Sequence, residues 1–201
     1  MREASILREQ DEKTSNEVSK FLDSTFYADE TSNFVRCDEV ELQVQGIDTI
    51  FRFDGYRPQC KCDEKTTAQY RNIQTFTLEL SFINKNGNVM SGWLLDPHHI
   101  NNTFLFVWLD DDKVEVALVE KAAILEHLES IGWTRERLIE KEKRIRNNDN
   151  EYLGNLDMDG CRFCYSKHLV EQPINVMLKR KTYKDMALFT KQYFTDKFKK
   201  Q

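Results

Sequence analysis

Two short runs of alternating apolar and polar residues constrain this chain more than any other feature of its sequence. Residues 46–53 read Gly-Ile-Asp-Thr-Ile-Phe-Arg-Phe, and residues 59–65 read Gln-Cys-Lys-Cys-Asp-Glu-Lys. Between them lies the segment Asp-Gly-Tyr-Arg at 54–57. Alternation with a period of two on both sides of a glycine-containing turn predicts a β-hairpin.

The position of the turn also predicts which residues pair across the hairpin. If residues 54–57 form the loop, Phe53 pairs with Pro58 and Asp48 lies opposite Asp63. Period-two alternation then places a charged set on one face, namely Asp48, Ile50, Arg52, Gln59, Lys61, Asp63 and Lys65. The opposite face is a core face, which carries Ile47, Thr49, Phe51, Phe53, Pro58, Cys60, Cys62 and Glu64.

Three features of this predicted register bear on the chemistry of the hairpin. Asp48 and Asp63 are like charges in directly opposed positions, and such a pair is destabilising unless a cation lies between the carboxylates. Glu64 is the one acid on the core face, so we expect it at the sheet edge or paired with a distant cation. Cys60 and Cys62 are expected to be buried, where a free thiol behaves as a small hydrophobic group.

The motifs in and after the hairpin resemble those of the PD-(D/E)XK nuclease superfamily, over about residues 40–110. The resemblance is carried by the Gly46-Ile47-Asp48 strand, the Asp63-Glu64-Lys65 strand, Thr75-Phe76 with Glu79, and Gly92-Trp93. It implies a restriction-endonuclease-like α/β (α+β) fold, with a mixed β-sheet flanked by helices. It also implies a Mg²⁺- or Mn²⁺-dependent deoxyribonuclease.

The resemblance assigns roles to individual residues. Asp48 and Asp63 would bind the metal, and Lys65 would orient the attacking water or neutralise charge on the phosphate. Glu79 would extend the metal shell, and Glu17 would be the acid that this family often carries on a helix before the sheet. A solvated glutamate at 17 and a solvated charged sheet face are the alternative interpretations.

Other functions stay open from the sequence. One is a catalytically inactive relative on the same fold, retained for binding. Another is a zinc-stabilised interaction protein, in which Cys60 and Cys62 join Cys161 and Cys164 around Zn²⁺. Buried thiols are the preferred interpretation of these cysteines.

Composition narrows the class of protein. A chain of 201 residues with 40% hydrophobic residues and few Gly and Pro is expected to form one domain, with residues 1–14 flexible. The sequence contains no apolar run of membrane-spanning length and no signal-peptide segment at its start, so we expect a cytoplasmic protein without a membrane partner.

The net charge of the chain limits how it could bind nucleic acid. A net charge of −5 argues against a uniformly basic surface but leaves room for a local basic groove. Lys61, Arg52 and Arg71 lie near the hairpin in sequence, and we expect them to contact nucleic acid, DNA in the first place. A homodimer is compatible with the sequence.

The rest of the chain predicts further elements. Strands are expected at 39–45, 75–82, 89–95, 103–109, 114–119 and 175–179. Helices are expected from Ser15 as an N-cap, and over 121–130, 134–147 and 183–199. Residues 66–72 are expected to form a loop or short helix, and residues 147–160 a loop.

Overall fold

The structure is a computed structural model that describes residues 13–56, 58–148 and 152–198. The chain divides into two compact units, each made of separate stretches of sequence. The first comprises Met1–Ile73, Asn101–Leu118 and Leu188–Gln201, and the second comprises Gln74–Ile100 and Val119–Ala187. A single domain over residues 1–201 stays a prediction. Most of the expected flexible segment lies outside the described residues; residues 13 and 14 are helical.

Strands and helices alternate irregularly along the chain. The strands are β1 (Thr31–Arg36), β2 (Thr49–Phe53), β3 (Cys60–Arg71), β4 (Thr75–Ile83), β5 (Val89–Ser91), β6 (Thr103–Leu109), β7 (Lys113–Glu120), β8 (Tyr152–Leu153), β9 (Arg162–Tyr165), β10 (Ile174–Lys179) and β11 (Phe189–Phe194). The described part of helix α1 covers residues 13–22, and a π-helical turn, Asp23–Tyr27, follows it. The remaining helices are α2 (Ala28–Glu30), α3 (Val40–Val44), α4 (Lys121–Ser130), α5 (Arg135–Asn148) and α6 (Arg180–Met186).

The first unit is built on a six-stranded mixed sheet with the order β1-β2-β3-β6-β7-β11. Strand β3 pairs antiparallel with β2 on one side and parallel with β6 on the other. All seven residues of β6 are buried, which is typical of a central strand next to a parallel neighbour. The hairpin that carries the candidate acids therefore leads directly into the most buried part of this sheet.

Helix α1 and the π-helical turn cover the core face of the hairpin. Leu22 and Phe26 are fully buried and belong to the same apolar cluster as Phe51, Cys60 and Cys62. The rings of Phe26 and Phe51 meet edge to face with centroids 6.0 Å apart. This packing fixes the position of the helix over the strand that carries Glu64 and Thr66.

The second unit contains a five-stranded antiparallel sheet with the order β5-β4-β10-β9-β8. Helix α5 is tied to strand β4 by a buried polar cluster. Ser81 Oγ donates to Glu142 Oε1 at 2.7 Å, and Arg146 reaches both Glu142 Oε1 (2.9 Å) and Ser81 Oγ (2.6 Å). Ionic and hydrogen-bonding groups thus connect helix and sheet within this unit.

Much of the predicted organisation is confirmed. The hairpin register is as predicted for three pairs, Thr49 with Cys62, Ile50 with Lys61 and Phe51 with Cys60. The direct pairing predicted for Asp48 with Asp63 is not part of the ladder between β2 and β3, whose pairs begin at Thr49. Six elements agree with the sequence prediction to within one or two residues at each end: β4, β6, β7, β10, α4 and α5. The chain is of mixed α and β class, with a mixed sheet accompanied by helices. Among the described helices, none is long and apolar enough to cross a membrane.

The predicted first strand at 39–45 is wrong. Residues Val40–Val44 form the short helix α3, which ends before Gly46 at a positive φ of 72°. The place beside β2 is taken instead by β1, which pairs Thr31 with Phe53. Alternation at Val40 and Val44 does not reflect a buried strand face, because both side chains are largely exposed.

Two predictions in the middle of the chain are also corrected. The segment 66–72 is not a loop, because β3 continues to Arg71 and pairs in parallel with β6. The strand predicted over 89–95 ends at Ser91. At Gly92 the backbone approaches Glu79 so closely that an added Cβ would lie 2.5 Å from the Glu79 carbonyl oxygen. This approach marks the point at which the chain turns away from the strand.

The ends of the described chain differ from the predictions as well. The final helix predicted over 183–199 is wrong, since α6 ends at Met186 and β11 follows as a partner of β7. Its alternating burial shows that the apolar pattern has a period of two, not of 3.6. Ser15 is not an N-cap, because residues 13 and 14 are already helical. Strand β8 interrupts the predicted loop 147–160.

Candidate functional site

The hairpin positions Asp48 and Asp63 against each other at the start of strand β2. Asp48 lies in a bend just before β2, and its N–H donates to the carbonyl oxygen of Cys62 at 2.9 Å. Cys62 is already the partner of Thr49, so the ladder is irregular at Asp48. The Glu64 N–H donates to Asp48 Oδ2 at 2.7 Å. The Asp48 carboxylate is therefore held by the backbone of the strand that carries Asp63.

Asp63 is a buried carboxylate that is only partly satisfied. It is 4% exposed, so the alternative interpretation of a solvated face does not hold at this residue. Lys65 Nζ lies 2.7 Å from Asp63 Oδ1. The other oxygen, Oδ2, is buried and has no hydrogen-bond partner in the described structure. A buried carboxylate oxygen without a partner is energetically unfavourable, and it identifies a position at which a ligand would stabilise the protein.

The environment of Asp48 disfavours its charged form. Burial is the main cause and the charge of Asp63 is the second, and together they raise the pKa of Asp48 to about 6. The Glu64 N–H and the charge of Lys65 act in the opposite direction but do not cancel the effect. The charge of Asp63 and a hydrogen bond between the two carboxyl groups both favour the protonated form of Asp48, because the two acids lie close together.

On the other face of β3, Glu64 is fully satisfied. Its Oε1 accepts from Tyr27 Oη at 2.6 Å and from Arg36 Nη2 at 3.1 Å. Its Oε2 accepts from Ser19 Oγ at 3.1 Å and from Arg36 Nη1 at 3.3 Å. Arg36 also pairs with Asp23 at 2.5 Å. The expectation that Glu64 pairs with a distant cation is confirmed, and that cation is Arg36.

Sequence reasoning missed the residues that surround Glu64. A signal was present, because Ser19, Asp23 and Tyr27 follow each other at four-residue intervals and so lie on one face of the helical segment. Arg36 could not be found in this way, because it lies on β1, a strand that was not predicted.

A cavity of about 310 Å³ opens beside Asp48 on the Glu64 face. Besides Asp48 it is lined by residues of α1, of the segment 36–43 and of β3 and β6, including Ser15, Ser19, Arg36, Asp38, Glu64 and Thr66. Thr66 Oγ1 is buried and has no hydrogen-bond partner in the described part of the chain. The cavity thus combines acidic and hydroxyl groups around a single arginine.

The other predicted site residues are placed less centrally. Glu17 is exposed on α1, although its neighbours Ser15 and Ser19 line the cavity. Glu79 lies on β4 in the second unit, close to Gly92. Its role in a metal shell stays a prediction, and so does that of Glu17.

The three predicted nucleic-acid contacts all lie on the strands of the hairpin. Arg52 is exposed and Lys61 is half-buried. Arg71 lies at the far end of β3, where its Nε donates to the Phe198 carbonyl oxygen at 3.0 Å, and burial lowers the pKa of its guanidinium. Arg71 is therefore engaged in a structural contact, whereas Arg52 is accessible.

The cysteines are free and buried. Cys60 and Cys62 lie in the core of the first unit, as predicted, and burial raises the pKa of the Cys62 thiol well above its usual value. Cys161 and Cys164 belong to the second unit. Within residues 13–56, 58–148 and 152–198, no group of three or more His, Cys, Asp or Glu side chains is arranged to hold a metal ion.

The geometry stands without support from known proteins. No protein-family model matches the chain, and a search of curated proteins finds no match either. No solved structure matches it.

Proposed function

We propose that this protein is a Mg²⁺-dependent phosphodiesterase that cleaves DNA, similar to PD-(D/E)XK nucleases. Asp48 and Asp63 are the proposed metal ligands and Lys65 the proposed catalytic cation. The observation that carries the proposal is the unpartnered, buried Oδ2 of Asp63 beside the carboxylate of Asp48. The proposal includes a restriction-endonuclease-like fold, supported by an acid-bearing antiparallel hairpin whose second strand pairs in parallel with a buried central strand.

The chemistry of the two acids fits Mg²⁺. This ion prefers oxygen ligands, and in proteins it takes one or two carboxylates and keeps several waters. A pair of acids is therefore a sufficient set, although no larger group is present in the described residues. When bound, Mg²⁺ supplies a water of lowered pKa and charge stabilisation at the phosphate. Its positive charge also removes the repulsion that raises the pKa of Asp48.

The residues of the site have distinct proposed roles. Asp48 is mostly ionised at neutral pH, because its pKa of about 6 lies below 7. The Glu64 N–H orients the Asp48 carboxylate. Lys65 neutralises Asp63 in the absence of substrate, and its ammonium group is available to stabilise negative charge on a phosphate. Arg52 and Lys61, which lie between the acids and the turn of the hairpin, are proposed to contact the nucleic-acid backbone.

Cleavage assays test this proposal directly. Supercoiled plasmid, linear duplex, single-stranded DNA and RNA are incubated with the protein in Mg²⁺, Mn²⁺ or EDTA. We expect DNA cleavage that requires the metal and falls at least about 100-fold in Asp63→Asn, since charge stabilisation at the phosphate is lost. Asp54→Asn, an exposed acid in the turn of the same hairpin, is the matched control and should retain activity. Metal-independent cleavage, or equal activity of the two variants, would contradict the proposal.

A non-catalytic protein on the same fold is the second candidate. The close ion pair between Lys65 and Asp63 favours it, because that pair compensates one acid without a metal. Thermal unfolding with and without Mg²⁺ separates the two. A competent acid pair should be stabilised by about 1.4 kcal/mol at a Mg²⁺ concentration ten times the Kd, and Asp63→Asn should not be. If Mg²⁺ does not change the melting temperature of the wild type and no substrate is cleaved, the non-catalytic function is supported.

A further inference from the structure

A second cavity, of about 770 Å³, lies entirely within the second unit and away from any residue of the proposed nuclease site. Its walls come from the turn between α4 and α5, the first half of α5, the loop 154–160 and strand β9. The volume is in the range of sites that hold small organic ligands.

Two aromatic rings form one side of this cavity. Trp133 and Phe163 meet at an angle of 66° with centroids 4.7 Å apart. Phe163 is buried, which anchors the pair in the unit, whereas Trp133 is partly exposed. Ile131 and Met158 add apolar surface. The exposed part of an indole on a rigid support is a surface on which a planar ring can stack.

Two cations stand next to these rings. Arg137 and Lys141 are four residues apart on α5 and therefore lie on the same side of the helix. The Arg137 guanidinium carbon is 5.7 Å from the Trp133 ring centre, and Lys141 Nζ is 5.6 Å from that of Phe163. Within the described ranges, neither cation forms an ion pair with a carboxylate.

The carboxylates of the cavity do not compensate these cations. Asp157 forms an ion pair with Lys179. Asp159 Oδ2 accepts a hydrogen bond from the Asn155 N–H at 2.8 Å. Asp157 is therefore compensated by Lys179, whereas Asp159 keeps its negative charge in the cavity lining. Arg137 Nη1 donates to the Gly132 carbonyl oxygen at 2.6 Å, a neutral partner that leaves the positive charge of the guanidinium uncompensated.

We propose that this cavity binds a nucleotide, with the base stacked against Trp133 and the phosphate between Arg137 and Lys141. Aromatic rings interleaved with cations are the combination by which proteins hold single-stranded nucleic acid, since the rings take bases and the cations take phosphates. The nucleotide is either free or one unit of a single strand. The site goes beyond the proposed cleavage reaction and does not depend on Asp48 or Asp63.

Fluorescence anisotropy with a labelled twelve-nucleotide DNA strand tests the site on the full chain, with unlabelled dAMP and inorganic phosphate as competitors and EDTA to prevent cleavage. We expect Lys141→Glu and Arg137→Glu each to weaken binding about tenfold, in line with the loss of phosphate contacts next to a stacking platform. Trp133→Phe should retain most of the affinity. The matched control is Lys143→Glu, an equal charge change on the exposed opposite side of the same helix.

The competitors identify the source of the nucleotide. Competition by dAMP indicates a free nucleotide, whereas binding of the strand without competition by dAMP indicates a unit within single-stranded DNA. Three results would overturn the proposal: no binding of either probe, equal weakening by Lys143→Glu and Lys141→Glu, or competition by inorganic phosphate as strong as by dAMP. Circular dichroism of each variant shows whether loss of binding follows from loss of folding.

Discussion

Asp63 and Glu64 are neighbours in one strand, and both lose most of their contact with water, yet their surroundings are opposite. Glu64 accepts hydrogen bonds from Tyr27, Ser19 and Arg36. Asp63 has one cation on one oxygen and none on the other. A strand turns successive side chains to opposite faces, so adjacent acids meet entirely different partners.

The difference separates a structural acid from a functional candidate. Buried polar groups with hydrogen-bond partners are compatible with a stable fold. A buried polar group without a partner lowers stability, so its presence needs an explanation such as ligand binding or catalysis. Asp63 also affects its neighbour Asp48, because its charge is one of the causes that raise the pKa of Asp48. Variants of the two acids should therefore change stability by different amounts.

The largest expected effect is that of Glu64→Gln. The change removes a charge from a network with Arg36 and Tyr27 and places an amide among donors, so we expect the free energy of unfolding to fall by about 3–4 kcal/mol. Asp63→Asn should cost clearly less in the absence of metal, because losing the pair with Lys65 is offset by relief of Asp48. Urea unfolding of both variants in EDTA measures the difference. Equal losses in the two variants would show that the two environments are energetically alike.

A pH-dependent effect of about 2–3 kcal/mol is expected from Asp48, at about 1.4 kcal/mol per pKa unit. Its carboxyl group titrates near 3.8 when unfolded and near 6 when folded. Between these values the folded protein binds more protons, so stability falls as the pH rises from about 4 to about 6 and levels off above. Asp48→Asn lacks this decline and should gain stability over the wild type across that range.

Urea unfolding of wild type and Asp48→Asn in EDTA, from pH 4 to pH 8, measures this effect as a difference between the two curves. Carboxylates that do not interact with Asp48 contribute equally to both curves and cancel. A difference that stays constant over the whole range would contradict the raised pKa of Asp48. Added Mg²⁺ should reduce the difference above pH 6, where the acids are ionised.

The smallest effect is expected at the cavity wall. Thr66 Oγ1 is buried without a partner, so Thr66→Val should change the free energy of unfolding by less than about 1 kcal/mol. The adjacent Thr67 offers a matched comparison, since its Oγ1 accepts from the Leu109 N–H at 3.1 Å. Thr67→Val should therefore destabilise the protein by about 1–2 kcal/mol. Unfolding of the two variants side by side measures both, and a larger loss at Thr66 would indicate an undetected partner there.

Local pattern was sufficient to predict the hairpin and misleading at two other places. The glycine-containing segment between the two alternating runs predicts the pairing of Thr49 with Cys62, because a short predicted loop leaves one register. The alternation that includes Val40 and Val44 fits a strand as well as a helix. The segment does not form the strand beside β2, because β1 occupies that position. The apolar pattern of residues 183–199 also fits a helix. Residues Phe189–Phe194 form a strand because they pair with the edge of β7.

The same limit applies to the candidate site. Asp48, Asp63 and Lys65 could be predicted as neighbours because all three belong to one hairpin. Arg36, which neutralises Glu64, comes from another strand and is brought near by tertiary packing. The sequence indicated that Glu64 needs a cation but not which one, since many cations in the chain could serve.

The last strand of the six-stranded sheet, β11, comes from the end of the described sequence, and this order matters while the protein is synthesised on the ribosome. Strand β11 pairs with β7, but about seventy residues of the second unit are translated between them. At the usual pace of elongation, roughly 4–15 s pass before the partner emerges. During that interval the backbone edge of β7 has no neighbour on that side, which makes it a place where nascent chains could pair with one another. Slowing translation over residues 120–188 should therefore increase aggregation of the newly made chain.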